Sequence, residues 1–166
     1  MGLRDRGLDG PTFRMREKLM AVGDDFWIED DDGHKIFKVN GKAARWRDTF
    51  VLEDASGDAL CTIKEKKLSV RDKMTIERGD TTATVHKRLL GIRDHYVIEV
   101  DGGDDYKAHG NILDHEYEIE RDGDTVAKVS KKWFRLRDTY GVQMAGGQDV
   151  ALVLAITVCV DAMARD

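Results

Sequence analysis

The sequence lacks most of what marks a multi-domain, secreted or catalytic protein. Its 166 residues hold a single proline, Pro11. No proline-rich linker divides the chain, no stretch is of low complexity, and one domain is expected. The two cysteines, Cys61 and Cys159, have no CxxC or metal-ligand spacing and lie inside apolar runs. That reads as buried free thiols in a reducing compartment. The most apolar run, Val150 to Val160, is eleven residues long. A membrane helix needs roughly twenty, so no transmembrane span is expected. The N-terminus has no apolar signal-peptide core, and Arg6 stands where a myristoylation signal requires Ser or Thr. The expected location is the cytoplasm, with peripheral contact to a membrane left open. Positive charge is in deficit: the net charge is −5, which argues against a nucleic-acid partner held by overall field.

Catalytic signatures are missing as well. There is no P-loop, GxGxxG or nucleophile elbow, and His115-Glu116 lacks the second histidine of HExxH. The histidines His34, His86, His95, His109 and His115 are scattered and read as surface or turn residues. Asp30-Asp-Asp-Gly33 lacks the spaced acidic series of a calcium loop and reads as a hairpin. No cofactor, no metal and no catalytic residue is expected.

What the chain does have is a repeat. Arg-Asp followed by an aromatic or apolar residue recurs as Trp46-Arg-Asp-Thr-Phe50, Val70-Arg-Asp-Lys-Met74, Ile92-Arg-Asp-His-Tyr96 and Leu136-Arg-Asp-Thr-Tyr140, with looser copies at Val22-Gly-Asp-Asp-Phe26 and Ile112-Leu-Asp-His-Glu-Tyr117. The corner aspartates are Asp24, Asp48, Asp72, Asp94, Asp114 and Asp138, spaced 24, 24, 22, 20 and 24. Between them lie Gly/Asp turn signals such as Asp30-Asp-Asp-Gly33, Asp54-Ala-Ser-Gly57 and Arg121-Asp-Gly-Asp124. Such residues supply the positive φ and local hydrogen bonds of hairpins. The segments between turns are short, alternating and β-branched. Each unit is thus strand, hairpin, strand, corner, and the tally is twelve strands. Residues 1–11 read as a loose tail and residues 12–166 as one domain.

The terminal run is apolar all round a helical wheel: Val150, Leu152, Val153, Leu154, Ile156, Val158 and Val160 leave no face for water. Asp149 suits its positive N-terminal turn. An all-apolar helix and twelve hairpin-linked strands predict a closed antiparallel barrel with the helix, from about Gln148 to Ala164, threaded along its axis. Twelve strands about 4.8 Å apart and tilted by about 40° give a radius of roughly 12 Å, close to the ~10 Å at which layers pack. The fold class is therefore all-β with one central helix.

Several stretches, taken as an ordered set, resemble the LURP-one-related family: Glu17-Lys-Leu, Gly23-Asp-Asp-Phe-Trp-Ile-Glu-Asp30, Lys38-Val-Asn-Gly-Lys42, Lys66-Lys-Leu-Ser-Val-Arg-Asp72, Gly110-Asn-Ile-Leu-Asp-His-Glu-Tyr117 and Lys132-Trp-Phe-Arg-Leu-Arg-Asp-Thr-Tyr140. The resemblance spans roughly residues 13 to 163. It implies the tubby C-terminal-like fold, a twelve-stranded barrel around a hydrophobic helix, distantly similar to phospholipid scramblases. It implies little about activity. The basic phosphoinositide pocket of tubby domains has no matching motif here, so no functional residue is carried over.

Aligning the units on the corner aspartate places a basic residue six positions earlier in five copies, Lys18, Lys42, Lys66, Arg88 and Lys132. All corners lie at one end of an up-and-down barrel, which gives one basic and one acidic rim. Trp46 and Trp133 fall in the basic-end segments, where an aromatic can meet a membrane interface or simply pack. The helix should end at the basic rim, its negative end, Asp161 and Asp166 facing those cations. The functional expectation is a non-enzymatic, monomeric binding module for an anionic partner such as a phospholipid headgroup. The alternative is a scaffold for a protein partner, the cations serving only as surface ion pairs.

Overall fold

In the computed structural model, residues 8–16, 25–41, 50–66, 73–90, 93–134 and 138–164 are described. The strands are β1 (Thr12–Arg16), β2 (Asp25–Asp30), β3 (Lys35–Asn40), β4 (Phe50–Asp54), β5 (Ala59–Lys66), β6 (Lys73–Arg78), β7 (Thr81–Leu90), β8 (Arg93–Val100), β9 (Tyr106–Asn111), β10 (Glu116–Arg121), β11 (Asp124–Ser130) and β12 (Thr139–Met144), followed by helix α1 (Val150–Ala164). Each strand pairs with its neighbours in sequence, and β1 pairs with β12, so the sheet closes. The pairings are antiparallel throughout, from Phe13 opposite Val142 at the closure to Ile63 opposite Ile76 midway round. Closure leaves no unpaired sheet edge.

The turns form where Gly and Asp punctuate the sequence. In the β2–β3 hairpin the Asp30 carboxylate accepts the backbone N–H groups of Asp32 and His34, both at 2.9 Å. In the β4–β5 hairpin Asp54 accepts those of Ser56 and Asp58 at 2.9 and 3.0 Å. Gly33 and Gly57, with φ of 84° and 91°, occupy the left-handed position that a side chain would resist. A register shift precedes the turn in β2, β4 and β10, at Ile28/Glu29, Leu52/Glu53 and Ile119/Glu120. These bulges add local twist as each hairpin closes.

Alternation then divides each strand into an outer row and an inner row. The inner row, including Ile28, Leu52, Ile63, Ile76, Val85, Ile98, Ile119 and Val142, has no exposed surface. It surrounds α1, whose Val153, Leu154, Ala155, Ile156, Val158, Cys159 and Val160 are also wholly buried. Val150, at the first turn, is only partly buried. The helix starts two residues after the expected Gln148 because Asp149 caps it: its carboxylate accepts the N–H of Leu152 at 3.4 Å. Arg78, at the end of β6, reaches the same carboxylate at 3.4 Å and donates to the Leu60 carbonyl at 3.2 Å. This fastens the start of α1 to the hairpin end. The one hydroxyl inside the apolar run is satisfied, since Thr157 donates to the Val153 carbonyl at 2.9 Å.

The start of the described chain differs from expectation. The sequence places residues 8–11 in a loose tail, and in the structure they lie along β12. Gln143, itself buried, donates its side-chain amide to the Leu8 carbonyl at 2.8 Å and accepts from the Leu8 N–H at 3.3 Å. Gly10 N–H donates to the Met144 carbonyl at 2.9 Å, and Asp9 accepts from Gly146 N–H at 2.8 Å. A Cβ on Gly10 would stand 2.4 Å from the Met144 carbonyl oxygen, which is why glycine serves there. One buried glutamine thus replaces the apolar periodicity that marks the other strands. Residues 1–7 lie outside the described residues.

Two outcomes follow from this core. Truncation after Gly147, or Leu154→Asp, should abolish the cooperative thermal transition, because the first empties the barrel axis and the second buries an unpaired charge. A truncated chain melting near the full-length protein would contradict this. The thiols supply the second. Both cysteines are free and buried, and burial pushes the Cys61 thiol up to about 11 from 9.0 and raises Cys159 in the same direction. Above about pH 9 the unfolded chain therefore releases thiol protons that the folded chain keeps. Stability is full below that pH and falls as pH rises, by about 1.4 kcal/mol per pH unit for each thiol. Denaturant midpoints between about pH 8 and pH 10 should show this fall, and Cys61→Ala with Cys159→Ala should flatten it.

Candidate functional site

The corner end is where the sequence places its basic residues. Among the described corner aspartates, Asp114 accepts from the Asn111 side-chain amide at 2.7 Å, and its own N–H donates to the Asn111 side-chain oxygen at 3.3 Å. Asp138 is exposed and takes the left-handed backbone, φ 58°. Asp94 lies in β8, in register with Leu89 of β7. Asp24, Asp48 and Asp72 fall outside the described residues, as do Trp46 and Asp166.

Of the five cations, Arg88 on β7 and Lys132 just after β11 are exposed. Lys66 closes β5, in register with Lys73 of β6. Lys18 and Lys42 lie outside the described residues. Arg88 and the end of β11 are four strand intervals apart, about 19 Å around the barrel. The two exposed cations therefore do not converge on one small anion. The corner end also carries Leu113, 71% exposed and the one exposed large apolar side chain among the described residues. Its turn lies beside the β11 exit, because Glu116 accepts both the Ser130 hydroxyl at 2.9 Å and the Lys131 N–H at 3.1 Å. Trp133 takes the packing role. A Cβ on Gly141 would come within 2.7 Å of the Trp133 ring and 2.9 Å of the Phe134 ring, so the segment after β11 lies flat on β12. The Arg14 guanidinium stands 5.5 Å from the centre of the Phe134 ring.

Asp161 is buried, 3% exposed, inside the corner end. Tyr140 donates its hydroxyl to one carboxylate oxygen at 3.2 Å, and Nδ1 of His115 lies 3.3 Å from the other. The His115 ring stacks on Tyr140, centres 4.2 Å apart and planes 11° from parallel. His115 is a turn residue, as read from the sequence, but it points inward and is 4% exposed. The reason is local. The Asp114 repeat has one residue more between its aspartate and the following aromatic or apolar residue than the four Arg-Asp copies, and the extra residue is absorbed at His115 with φ 51°. The neighbouring Tyr117 is held well above the ordinary tyrosine range by burial first, then by the Asp161 charge and Tyr96. Two signals in the sequence point to this cluster: the irregular repeat, and Asp161 as the one charged residue within α1. A charge in an all-apolar helix requires partners.

A histidine, a carboxylate and a tyrosine in line are the components of general acid–base chemistry. Here His115, Asp161 and the fully buried Tyr140 are sealed from solvent, and their geometry fastens the end of α1 to β12 and the β9–β10 turn. Asp161→Ala should cost about 2–4 kcal/mol by removing the buried carboxylate that accepts from Tyr140 and lies beside the His115 ring, and Tyr140→Phe about 1 kcal/mol. Chemical denaturation of both variants checks the order. Equal, near-zero effects would remove the cluster from the account.

Comparison with known proteins gives one family. A family model described as LURP-one-related matches residues 11–161. A Bacillus subtilis protein, the uncharacterized protein YxjI, is 31% identical over 94 residues, covering 53% of this chain and 58% of its own length. Protein LURP-one-related 15 of Arabidopsis thaliana is 36% identical over 66 residues, 39% of this chain and 30% of that protein. The matched stretches thus span about three fifths and one third of these relatives. A solved structure of an Arabidopsis thaliana protein superposes with a TM-score of 0.60 over 95% of this chain and 94% of its own, at 17% identity, which speaks to the fold alone.

Proposed function

The chain belongs to the LURP-one-related family, and on that premise we propose that it is a non-enzymatic binding module whose corner end meets an extended anionic surface, in the first place a membrane rich in anionic phospholipid. The observation that carries this reading is the exposed Leu113 beside the β11 exit, with Lys132 and Arg88 exposed on the same molecule. An exposed apolar tip near Lys132, with Arg88 exposed farther round, suits an interface that offers both headgroup charge and acyl surface. The separation of Arg88 from Lys132 favours a broad surface over a single headgroup, and Lys18, Lys42 and Lys66 would extend it if the repeat places them alike. The interior is taken by α1, so the ligand is met on the outside of the barrel.

A scaffold for a protein partner is the second reading. Trp133 favours it, because this tryptophan packs on Gly141 in place of standing ready for lipid.

Co-sedimentation of the full chain with vesicles of phosphatidylcholine and phosphatidylserine separates the two. The membrane reading expects binding at low salt that weakens as the Debye length contracts below about 8 Å. It also expects Leu113→Asp and the pair Arg88→Glu/Lys132→Glu each to reduce binding without moving the melting temperature. Absence of binding at low salt overturns it and leaves the protein scaffold.

A further inference from the structure

We propose that the outer face of β9 and β10 holds a divalent transition-metal site of the zinc class, built from His109, Glu118 and Glu120. The proposal does not depend on the membrane reading. Its origin is the strand period. Ala108 and Ile119 point inward with no exposed surface, so His109 on β9 and Glu118 and Glu120 on β10 project outward. Register sets Glu118 directly opposite His109, and Glu120 is the next outward residue on the same strand. Nε2 of His109 lies 2.8 Å from a Glu120 carboxylate oxygen. One donor atom from each of the three lies within 4.8 Å of the other two, and all three side chains are half-buried.

Two carboxylates held this close and partly withdrawn from water repel, and a cation between them relieves that. A metal at bond lengths of about 2.0–2.2 Å needs its ligand atoms about 3–3.5 Å apart, which side-chain rotation supplies without moving the strands. One imidazole nitrogen with two carboxylate oxygens suits zinc and its neighbours, whereas calcium and magnesium take oxygen throughout. His109 and Glu118 also line a cleft of about 410 Å³ shared with Lys128, Ser130 and Trp133. A metal held by three protein ligands would keep a coordination position for water or for the carboxylate or phosphate of a partner entering from this cleft.

The molecule contains its own control. Asp30, Asp32 and His34 also bring donors within 4.8 Å, but at an exposed hairpin where the Asp30 carboxylate is already committed to the turn and to His34. The test is calorimetric titration of the chelator-stripped full chain with Zn2+, with Co2+ absorption as a second readout of ligand number. One Zn2+ per chain is expected, with His109→Ala and the pair Glu118→Gln/Glu120→Gln each weakening it more than tenfold. Changes in groups that merely orient a ligand already cost roughly 10- to 100-fold. His34→Ala should leave the affinity unchanged, and circular-dichroism melts of all variants should match the parent, since the altered side chains lie outside the core. No uptake by the folded parent, uptake that survives both cleft variants, or uptake lost in His34→Ala would each overturn the proposal. Any of these results would leave Lys128, in register with Glu118, as the balance for the glutamates.

Discussion

An α-helix without a polar face has one stable place in water, which is the inside of something else, and α1 imposes that condition on the rest of the chain. Its wholly buried run from Val153 to Ile156 requires apolar side chains on every side. A single sheet can provide them only by curling until its first and last strands meet. The β1–β12 pairing is that meeting, and the helix packs most closely on β5, β6 and β7 at the far side of the ring. Sheet and helix therefore form one cooperative core. Neither has a native-like environment without the other.

The same constraint settles where binding can occur. Small barrels that hold ligands do so in an interior that side chains leave vacant, and here α1 takes that interior. Both ends of the helix are tied by polar contacts of different kinds. At the hairpin end the Asp149 cap is shared with Arg78 near the surface. At the corner end Asp161 is drawn inside against Tyr140 and His115. Chemistry accessible to a partner is left to the outer rows of the strands and to the turns. The Leu113 turn and the His109 cleft are of that kind.

The fold was legible because it rests on periodicities that sequence displays directly. The aspartate spacing marked the corners, the Gly and Asp clusters marked the hairpins, and the apolar run from Val150 to Val160 marked the axis. Contacts that join residues far apart in the chain left weaker traces. Gln143 holding Leu8 is a single polar residue meeting a segment without periodicity, so residues 8–11 read as loose. His115 reads as a surface histidine because nothing local says that a turn residue will face inward; its neighbour Asp161 lies 46 positions later. The His109, Glu118 and Glu120 group depends on the register between β9 and β10, which alternation alone does not supply. The proposed cation rim was the least legible part. A basic residue in five of the six repeats points to one end of the barrel, but exposure and distance, as between Arg88 and Lys132, come only with the three-dimensional arrangement.

That the barrel and its axial helix are a single cooperative unit is the central claim, and native-state hydrogen exchange tests it most directly. If it is right, the amides of α1 and those of the strands that surround it exchange through the same opening, with one free energy equal to that of global unfolding. Amides of α1 that exchange through a lower-energy opening, while β5 to β8 stay protected, would show a barrel that stands without its helix and would contradict the account.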